Sequence, residues 1–418
     1  MLSLAEALSR VLAGARPLPA ERVGLADAAG RVLAAPVQAT LTLPPWDNSA
    51  MDGYAVRGAD VVAATPEAPV RLRVLETVPA GSRPRDVVGA GEATRIMTGA
   101  PVPDGADCVI RVEDTDGGTE VVEVRGARDV GRNVRPRGED LRAGDVALDG
   151  GTRLGGAQLA LLAALGRTEI DVVRVPRVAI LGSGDELVPA GAADTAHSEG
   201  KVVASNGMAI AALVRADGGR ALELGVTPDR VEAIAERARA AEQCDLLVTT
   251  GGVSMGAFDF TREALASLGL RLDFWRVRIR PGAQTGFGRI EGLGGLPWLG
   301  LPGNPVSALV TYELFVRPLL RLMHGERHPH RVPLRVTLDE PATTAGGATF
   351  FLRARLTPQP DGWHARATGP QGSGLLTSMA RANALLIVPE GVSALPAGAT
   401  VLALPLGDDA LHGAEATW

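Results

Sequence analysis

The alternation of apolar and polar residues predicts helices in the segments 1–45 and 136–175. In MLSLAEALSRVLAGA the apolar residues recur at helical spacing from Leu4 to Leu12. Charged residues interrupt this run, so it predicts an amphipathic helix rather than a secretory signal. A second helical pattern, GGAQLALLAALG, has a glycine stop at Gly166. We interpret the two segments as halves of one small mixed α/β domain, domain I.

Short β-type runs separated by glycine and proline dominate two other regions. Residues 46–135 contain VRLRVLETV and GTEVVEVRGA, and residues 327–418 contain RVPLRVTL, TFFLRARL, ALLIVPE and TVLALPL. Such runs, bounded by turn residues, are typical of strands. The first region is predicted to be a β-rich domain inserted into domain I, domain II. The second is predicted to be a small C-terminal β domain that resembles a barrel, domain IV.

Residues 176–326 alternate between strand and helix patterns. RVAIL, RALELGV and CDLLVTT read as strands, whereas SNGMAIAALVRADG, RVEAIAERARAAEQ and DFTREALASLG read as helices. PVSALVTYELFVRPLLRLMHG closes the region as a long helix. This alternation predicts a doubly wound α/β domain, domain III. The fold class is therefore multidomain, α/β plus β.

Composition narrows the functional classes. The chain has 418 residues, 46% hydrophobic and 22% charged, which is typical of a globular protein of several domains. A net charge of −6 argues against a general nucleic-acid surface, and no apolar run is long enough for a membrane span. Cys108 and Cys244 have no metal-type spacing. We expect a cytoplasmic protein. Lys201 is the only lysine, so an anion site must use arginine, backbone N–H groups or a metal.

Two predicted strands of domain III end in polar, glycine-rich segments. GSGDEL contains Glu186, and TTGGVSMGAFD contains Gly251, Gly252, Ser254 and Asp259. Ligands of open α/β sheets bind beyond the carboxyl ends of strands, and glycines allow backbone N–H groups to approach a phosphate. A nearby carboxylate can hold Mg²⁺. Turn glycines with Asp259 as a helix cap would explain the same residues.

Two further segments of domain III carry candidate anion-binding groups. LPGNP contains Pro302, Gly303 and Pro305, and it predicts a rigid turn whose following helix directs free N–H groups at an anion. FWRVRIRPG alternates arginine with apolar residues, which would place Arg276 and Arg280 on one face of a strand. A simple turn and an exposed strand face are the structural alternatives. The loop DNSAMDGYAV in domain II is a further functional candidate.

These segments together resemble the MoeA family. DNSAMDGYAV, RIMTGAPVP, RGED, GDEL, TTGGVSMG, RPG and LPGNPVSA occur in this order between residues 44 and 310. The family comprises the molybdopterin molybdenumtransferases and includes the E domain of gephyrin. The resemblance implies a Mg²⁺-dependent enzyme that inserts molybdate into adenylylated molybdopterin and releases AMP, the final step of molybdenum cofactor biosynthesis. It also implies an α/β domain like that of MogA.

The resemblance further implies a homodimer with an active site between domain III of one subunit and domain II of the other. Further implied partners are the molybdopterin adenylyltransferase and apo-molybdoenzymes. The positions that match catalytic motifs are Asp52, Thr98, Arg137, Asp140, Glu186, Asp229 and Asp259, with Glu186 and Asp259 as metal ligands. The expected substrate-binding positions are Gly251, Gly252, Ser254, Arg276, Arg280, Pro302, Gly303, Pro305, Arg353 and Ser373.

One segment departs from the family pattern. The family usually has the sequence K-P-G-K-P where this chain has Arg280, Pro281, Gly282, Ala283 and Gln284. The first cation is retained as arginine, whereas Ala283 replaces the second. Loss of a positive charge weakens an oxyanion site, so a preference between molybdate and tungstate stays open.

Two other functions remain as alternatives. The sibling enzyme that adenylylates molybdopterin has the same type of α/β domain, although it lacks the DNSAMDGYA and RGED segments. A non-catalytic scaffold, like the receptor-anchoring role of the gephyrin E domain, would not require the acidic residues.

Overall fold

A computed structural model describes residues 1–251 and 260–407, without the side chains of residues 195–197. Residues 252–259 and 408–418 lie outside the described residues, so the predictions for Gly252, Ser254 and Asp259 cannot be compared with the structure. In chain order, the elements of residues 1–175 are α1 (Leu4–Ala13), β1 (Ala20–Gly24), β2 (Val37–Gln38), β3 (Asn48–Ser49), β4 (Gly53–Val56), α2 (Gly58–Val61), β5 (Val70–Val78), β6 (Glu92–Ile96), β7 (Cys108–Arg111), β8 (Val121–Val124), β9 (Val134–Arg135), β10 (Val146–Leu148), α3 (Gly156–Ala164) and β11 (Glu169–Val173).

Strand pairing joins the two segments that flank residues 46–135. β1 pairs antiparallel with β11, and β2 pairs antiparallel with β10. The predicted N-terminal helix is present as α1, and Ser3 and Glu6 form its capping box by exchanging hydrogen bonds with each other's backbone N–H groups. Between the flanking segments, the described strands form a five-stranded sheet in the order β7-β4-β6-β5-β8 around the buried Tyr54. The residue boundaries of the four domains stay a prediction.

Residues 176–326 form the predicted doubly wound α/β unit. Its elements are β12 (Arg177–Ser183), β13 (Leu187–Val188), α4 (Ala193–Glu199), β14 (Val202–Val203), α5 (Asn206–Ala216), β15 (Arg220–Thr227), α6 (Val231–Arg239), β16 (Leu246–Thr250), α7 (Phe260–Ser267), β17 (Leu270–Phe274), β18 (Ile279–Arg280), β19 (Gly286–Ile290), β20 (Leu296–Leu301), α8 (Pro305–Thr311) and α9 (Arg317–Met323). A π-helical turn, Tyr312–Val316, joins α8 to α9 into the predicted long helix. The sheet order is β15-β12-β16-β20-β19-β17.

Helices cover both faces of this sheet. α1, α5 and the α8–α9 helix pack on one face around Val248 and Phe315, and α6 and α7 pack on the other around Leu247 and Trp298. β15, β12, β16 and β20 are parallel, so their carboxyl ends lie at one edge. That edge is where open α/β sheets bind ligands.

The structure corrects the prediction that the arginine-containing segment FWRVRIRPG forms one strand. β17 ends at Phe274, and within this segment only Ile279–Arg280 forms a further strand, which pairs with domain IV instead of the sheet of domain III. The intervening backbone hydrogen-bonds Leu2 through Arg276 O and Arg278 N. Val277 and Ile279 still face the core. The alternating segment is therefore an extended linker between domains. Its backbone is paired by two segments that are distant in sequence, Leu2 and β23.

The C-terminal region forms a closed five-stranded barrel. Its elements are β21 (Leu334–Leu338), β22 (Ala342–Thr343), β23 (Thr349–Gln359), β24 (Gly362–Ala367), α10 (Leu376–Ala380), β25 (Ala384–Val388), β26 (Ala394–Leu395) and β27 (Thr400–Pro405). The barrel order is β23-β24-β21-β27-β25, and β25 pairs back with β23. Leu352, Ala354, Leu356 and Ala365 fill its interior. The described residues contain no helix long and apolar enough to cross a membrane.

A partly buried cluster of charged residues connects domain I to the end of α9. Arg153 donates to Glu326 at 2.6 Å, and Arg321 forms an ion pair with the same carboxylate. His324, only 2% exposed, lies beside this cluster. Burial, with the nearby Arg153 and Arg31, lowers the pKa of His324 to about 4, because both effects oppose a charged imidazolium.

Candidate active site

The glycine-rich strand ends of domain III converge as the sequence predicts. Gly251 follows β16 with φ +88°, and a Cβ at this position would lie 2.6 Å from the carbonyl oxygen of Ser183 at the end of β12. Its N–H lies 3.4 Å from the carbonyl oxygen of Leu301. Only glycine fits both the positive φ and this close approach. Three parallel strand ends therefore meet around Gly251.

The LPGNP turn is held beside Gly251. Pro305 begins α8, and the side chain of Asn206, in the first turn of α5, donates to the carbonyl oxygen of Gly303 at 2.8 Å. The N–H of Val306 donates to the carbonyl oxygen of Ser373 at 3.1 Å. Ser373 of domain IV is thus placed at the N-terminus of α8. Sequence reasoning did not assign Asn206, because its role is visible only as a contact between two distant segments.

An acidic group lies next to these strand ends. The N–H of Asp229 donates to the carboxylate of Asp185 at 3.1 Å. Burial raises the pKa of the Asp229 carboxyl, and the negative charges of Asp185 and Glu186 raise it further. Asp185 was not among the assigned site residues, although it stands within the GDEL motif beside Glu186.

Asp52 and Thr98 form a second group, in domain II. The carboxylate of Asp52 accepts hydrogen bonds from the N–H and from the hydroxyl of Thr98, both at 2.7 Å. These two donors hold the pKa of Asp52 below its ordinary value. The loop is shaped by Gly99, which has φ +84° and donates its N–H to Ser49.

Arg137 and Asp140 lie on a loop that packs against the segment before Asp52. The N–H of Arg137 donates to the carboxylate of Asp47 at 2.6 Å, and the N–H of Asp140 donates to the carbonyl oxygen of Leu43. Both side chains are exposed. The structure thus assigns Asp47 a positioning role that was not predicted.

Arg280 and Arg353, two of the predicted substrate-binding arginines, have different environments. Arg280 is exposed, and the following turn is pressed against α8, where a Cβ at Gly282 would lie 2.4 Å from Thr311 Cγ2. Arg353 is fully buried, and its guanidinium donates to the carbonyl oxygens of the 370–372 segment and to Ser378 Oγ. All these donors are engaged within the protein. Arg353 therefore holds the loop that carries Ser373, whereas we expected it to bind substrate.

The carboxylates next to the strand ends show whether the residues present suit a divalent ion. Asp185 and Glu186 are close enough to raise the pKa of Asp229. A bound cation would relieve this repulsion between the carboxylates. The described residues contain no group of three His, Cys, Asp or Glu side chains that could hold a metal ion by themselves. Mg²⁺ commonly uses one or two carboxylates together with substrate phosphates, so the residues present fit such a site.

A cavity of about 410 Å³ lies away from these groups. Asp245, Leu296 and Arg289 line it at the opposite end of the parallel strands, and none of the predicted site residues does so. The strand-end group, rather than this cavity, lies at the carboxyl ends of the parallel strands, where open α/β sheets bind ligands.

Three family models match most of the chain. Residues 2–166 match the MoeA N-terminal region (domains I and II), residues 179–322 match a probable molybdopterin binding domain, and residues 335–406 match the MoeA C-terminal region (domain IV).

Similar full-length proteins carry consistent names. Molybdopterin molybdenumtransferase 2 of Mycobacterium tuberculosis is 39% identical over 94% of this chain and 95% of its own length. Molybdopterin molybdenumtransferase of Nostoc sp. is 37% identical over 92% of this chain and 88% of its own length. The crystal structure of molybdopterin biosynthesis moeA protein from Pyrococcus horikoshii OT3 has a TM-score of 0.84 at 30% identity, covering 97% of this chain and 100% of that one.

Proposed function

The chain belongs to the MoeA family of molybdopterin molybdenumtransferases, and we propose that it inserts molybdate into adenylylated molybdopterin with release of AMP. The observation that carries this proposal is the 39% identity to a molybdopterin molybdenumtransferase over 94% of the chain. The close approach of Gly251 and Gly303 at the strand ends supports it, because glycines let a phosphate or oxyanion come near the backbone.

The residues of domain III have different proposed roles in the reaction. The backbone around Gly251 binds the phosphate groups, and the LPGNP turn beside it shapes the site. Asp185 and Asp229 orient the reacting phosphate and water, and Glu186 together with Asp259 would hold Mg²⁺. When bound, this ion neutralises phosphate charge and makes the phosphoanhydride more electrophilic. Arg280 contributes positive charge for molybdate.

We also propose that the active site is completed by a second subunit. Within the described residues, no hydrogen bond or ion pair joins the Asp52–Thr98 group to the Asp229 group. Both groups carry residues that match family motifs. A homodimer in which domain II of one subunit faces domain III of its partner would bring Asp52, Thr98, Arg137 and Asp140 to the phosphate site.

Reconstitution tests the proposed reaction. Purified protein is incubated with adenylylated molybdopterin, Mg²⁺ and either molybdate or tungstate, and AMP release is followed. We expect release that requires both the oxyanion and the divalent ion. Incubation with molybdopterin and ATP is the contrasting arm, because formation of adenylylated molybdopterin there would favour the adenylyltransferase alternative. Failure of both reactions with an intact dimer would favour a scaffold.

Restoring the missing cation tests the oxyanion pocket. Ala283→Lys adds a positive charge three residues after Arg280, next to the turn that packs on α8. We expect a several-fold lower KM for molybdate with little change in kcat, because the charge acts mainly on binding. Ala283→Gln is the uncharged control. An equal response to both substitutions would argue that position 283 does not face the oxyanion.

A further inference from the structure

A second candidate binding site lies on the outer surface of the C-terminal barrel. A cavity of about 780 Å³ is formed there, and its polar lining consists of Asp339, Arg355, Thr357, Arg366, Thr368 and Arg381. This volume lies within the range of small-molecule sites. None of the residues assigned to the transferase site lines it.

Two of the arginines are direct partners across antiparallel strands. Arg355 of β23 is paired with Arg366 of β24. The neighbouring pair, Leu356 and Ala365, faces the barrel interior, so both arginines point to the outer face. Like charges directly opposite one another destabilise a sheet. This arrangement is stabilised when an anion lies between the two guanidinium groups.

The return of the chain after β24 adds a third arginine. The hydroxyl of Thr368 donates to the carbonyl oxygen of Ser378 at 2.7 Å, which holds α10 over the end of β24. Arg381 is the residue that caps the C-terminus of α10, and it lines the same cavity as Arg355 and Arg366. Three arginines from two strands and a helix end thus line one concave surface.

Protein carboxylates neutralise little of this charge. Within the described ranges, Arg355 and Arg381 form no ion pair, and Arg366 contacts Glu340 at 3.3 Å with both side chains largely exposed. Such exposed pairs contribute little and exchange readily with a ligand. The carboxylate of Asp339 is already engaged by His364 at 2.7 Å. The cavity therefore retains a net positive charge.

We propose that this cavity binds a small molecule that carries two linked phosphate groups. Guanidinium groups bind phosphate oxygens with paired, charge-assisted hydrogen bonds. A diphosphate spans a longer distance than one tetrahedral oxyanion, so it can contact arginines that come from two strands and a helix end. Thr357 supplies an additional hydroxyl beside the pair. The site is separate from the proposed transferase site, so the two can fail independently.

Calorimetric titration of the full chain with inorganic pyrophosphate, in buffer with EDTA, tests the proposal. The metal chelator suppresses Mg²⁺-dependent binding at the transferase site. We expect one site whose affinity falls about tenfold or more in Arg355→Gln and in Arg381→Gln, because each removes a charge-assisted contact. Arg335→Gln is the matched control. Arg335 is an exposed arginine of the same barrel that does not line the cavity, and its substitution should leave binding unchanged.

Two further measurements test the choice of a diphosphate and the repulsion between the paired arginines. Molybdate and phosphate are titrated in parallel, and affinity equal to that of pyrophosphate would overturn the assignment of a diphosphate. Without ligand, Arg355→Gln should raise the melting temperature, because it relieves repulsion from Arg366. No pyrophosphate binding by the unsubstituted protein, or unchanged binding by both cavity variants, would overturn the site itself.

Discussion

Asp52 and Asp229 are aspartates of the same proposed site, yet their surroundings shift their pKa values in opposite directions. Asp52 accepts two hydrogen bonds from Thr98, which stabilise the carboxylate and lower its pKa. Burial and the neighbouring Asp185 and Glu186 raise the pKa of Asp229. Hydrogen-bond donors therefore fix one group in its charged form, whereas the other is poised to respond to a cation or a proton.

The sign of each shift determines how the group affects stability. The lowered pKa of Asp52 stabilises the fold above the ordinary aspartate range, and this contribution is lost as the pH falls through its folded pKa. The raised pKa of Asp229 acts in the other direction, because deprotonation disfavours the fold as the pH rises through that value. A divalent ion would remove that penalty.

The largest expected effect comes from Asp229→Asn. Asparagine keeps the shape and the backbone contact to Asp185 but removes the negative charge. We expect molybdate insertion to fall at least about 100-fold, the scale of a group that acts on the reacting atoms. Mg²⁺ should raise the melting temperature of the unsubstituted protein and have a smaller effect on the variant. Activity close to that of the unsubstituted protein would refute the role of Asp229.

The pH dependence of the free energy of unfolding tests a buried group outside the proposed site, His324. The folded pKa of His324 is about 4, below its ordinary 6.5, so the unfolded state binds the extra proton. Stability should therefore fall as the pH decreases from 6.5 towards 4, by up to ~3 kcal/mol. Chemical denaturation at several pH values measures this, and His324→Leu should flatten the profile. A slope that persists in His324→Leu would assign the acid sensitivity to other groups.

Thr98→Val tests whether the hydrogen bonds from Thr98 keep Asp52 in its charged form. Valine has the shape of threonine and keeps the backbone N–H, but it removes the hydroxyl that donates to Asp52. The pKa of Asp52 should rise and activity should fall roughly tenfold, the scale of one hydrogen bond to a charged group. Thr98→Ser retains the hydroxyl and should retain activity. If Thr98→Ser were as impaired as Thr98→Val, the methyl group and not the hydroxyl would be the essential feature.

The smallest expected effect is a shift in the pH profile of Asp185→Asn. Removing this neighbouring charge lowers the pKa of Asp229, so the acidic limb of kcat/KM should move to lower pH. The amide oxygen can still accept the N–H of Asp229. The profile of AMP release against pH gives the measurement, and a limb that stays in place or moves to higher pH would contradict the coupling of the two carboxyl groups.

Local sequence patterns predicted much of the fold. The helical spacing in α1, the alternation of strands and helices from β12 to α9, and the β-type runs of the barrel are each encoded within short segments. Their periodicity follows from which side chains must be buried. The arginine-rich stretch at 274–280 is the exception. Its pairing partners, Leu2 and β23, are too distant in sequence for periodicity to identify.

The sequence by itself determined the family, the order of the domains and the motif residues such as Asp52 and Gly251. Tertiary structure decided which of these residues meet. It placed Thr98 on Asp52, joined Ser373 to the start of α8, and assigned Arg353 to the support of a loop. It also brought Arg355, Arg366 and Arg381 around one cavity. A short motif fixes side-chain chemistry and local backbone, whereas charge environment and burial depend on contacts between segments that only folding brings together.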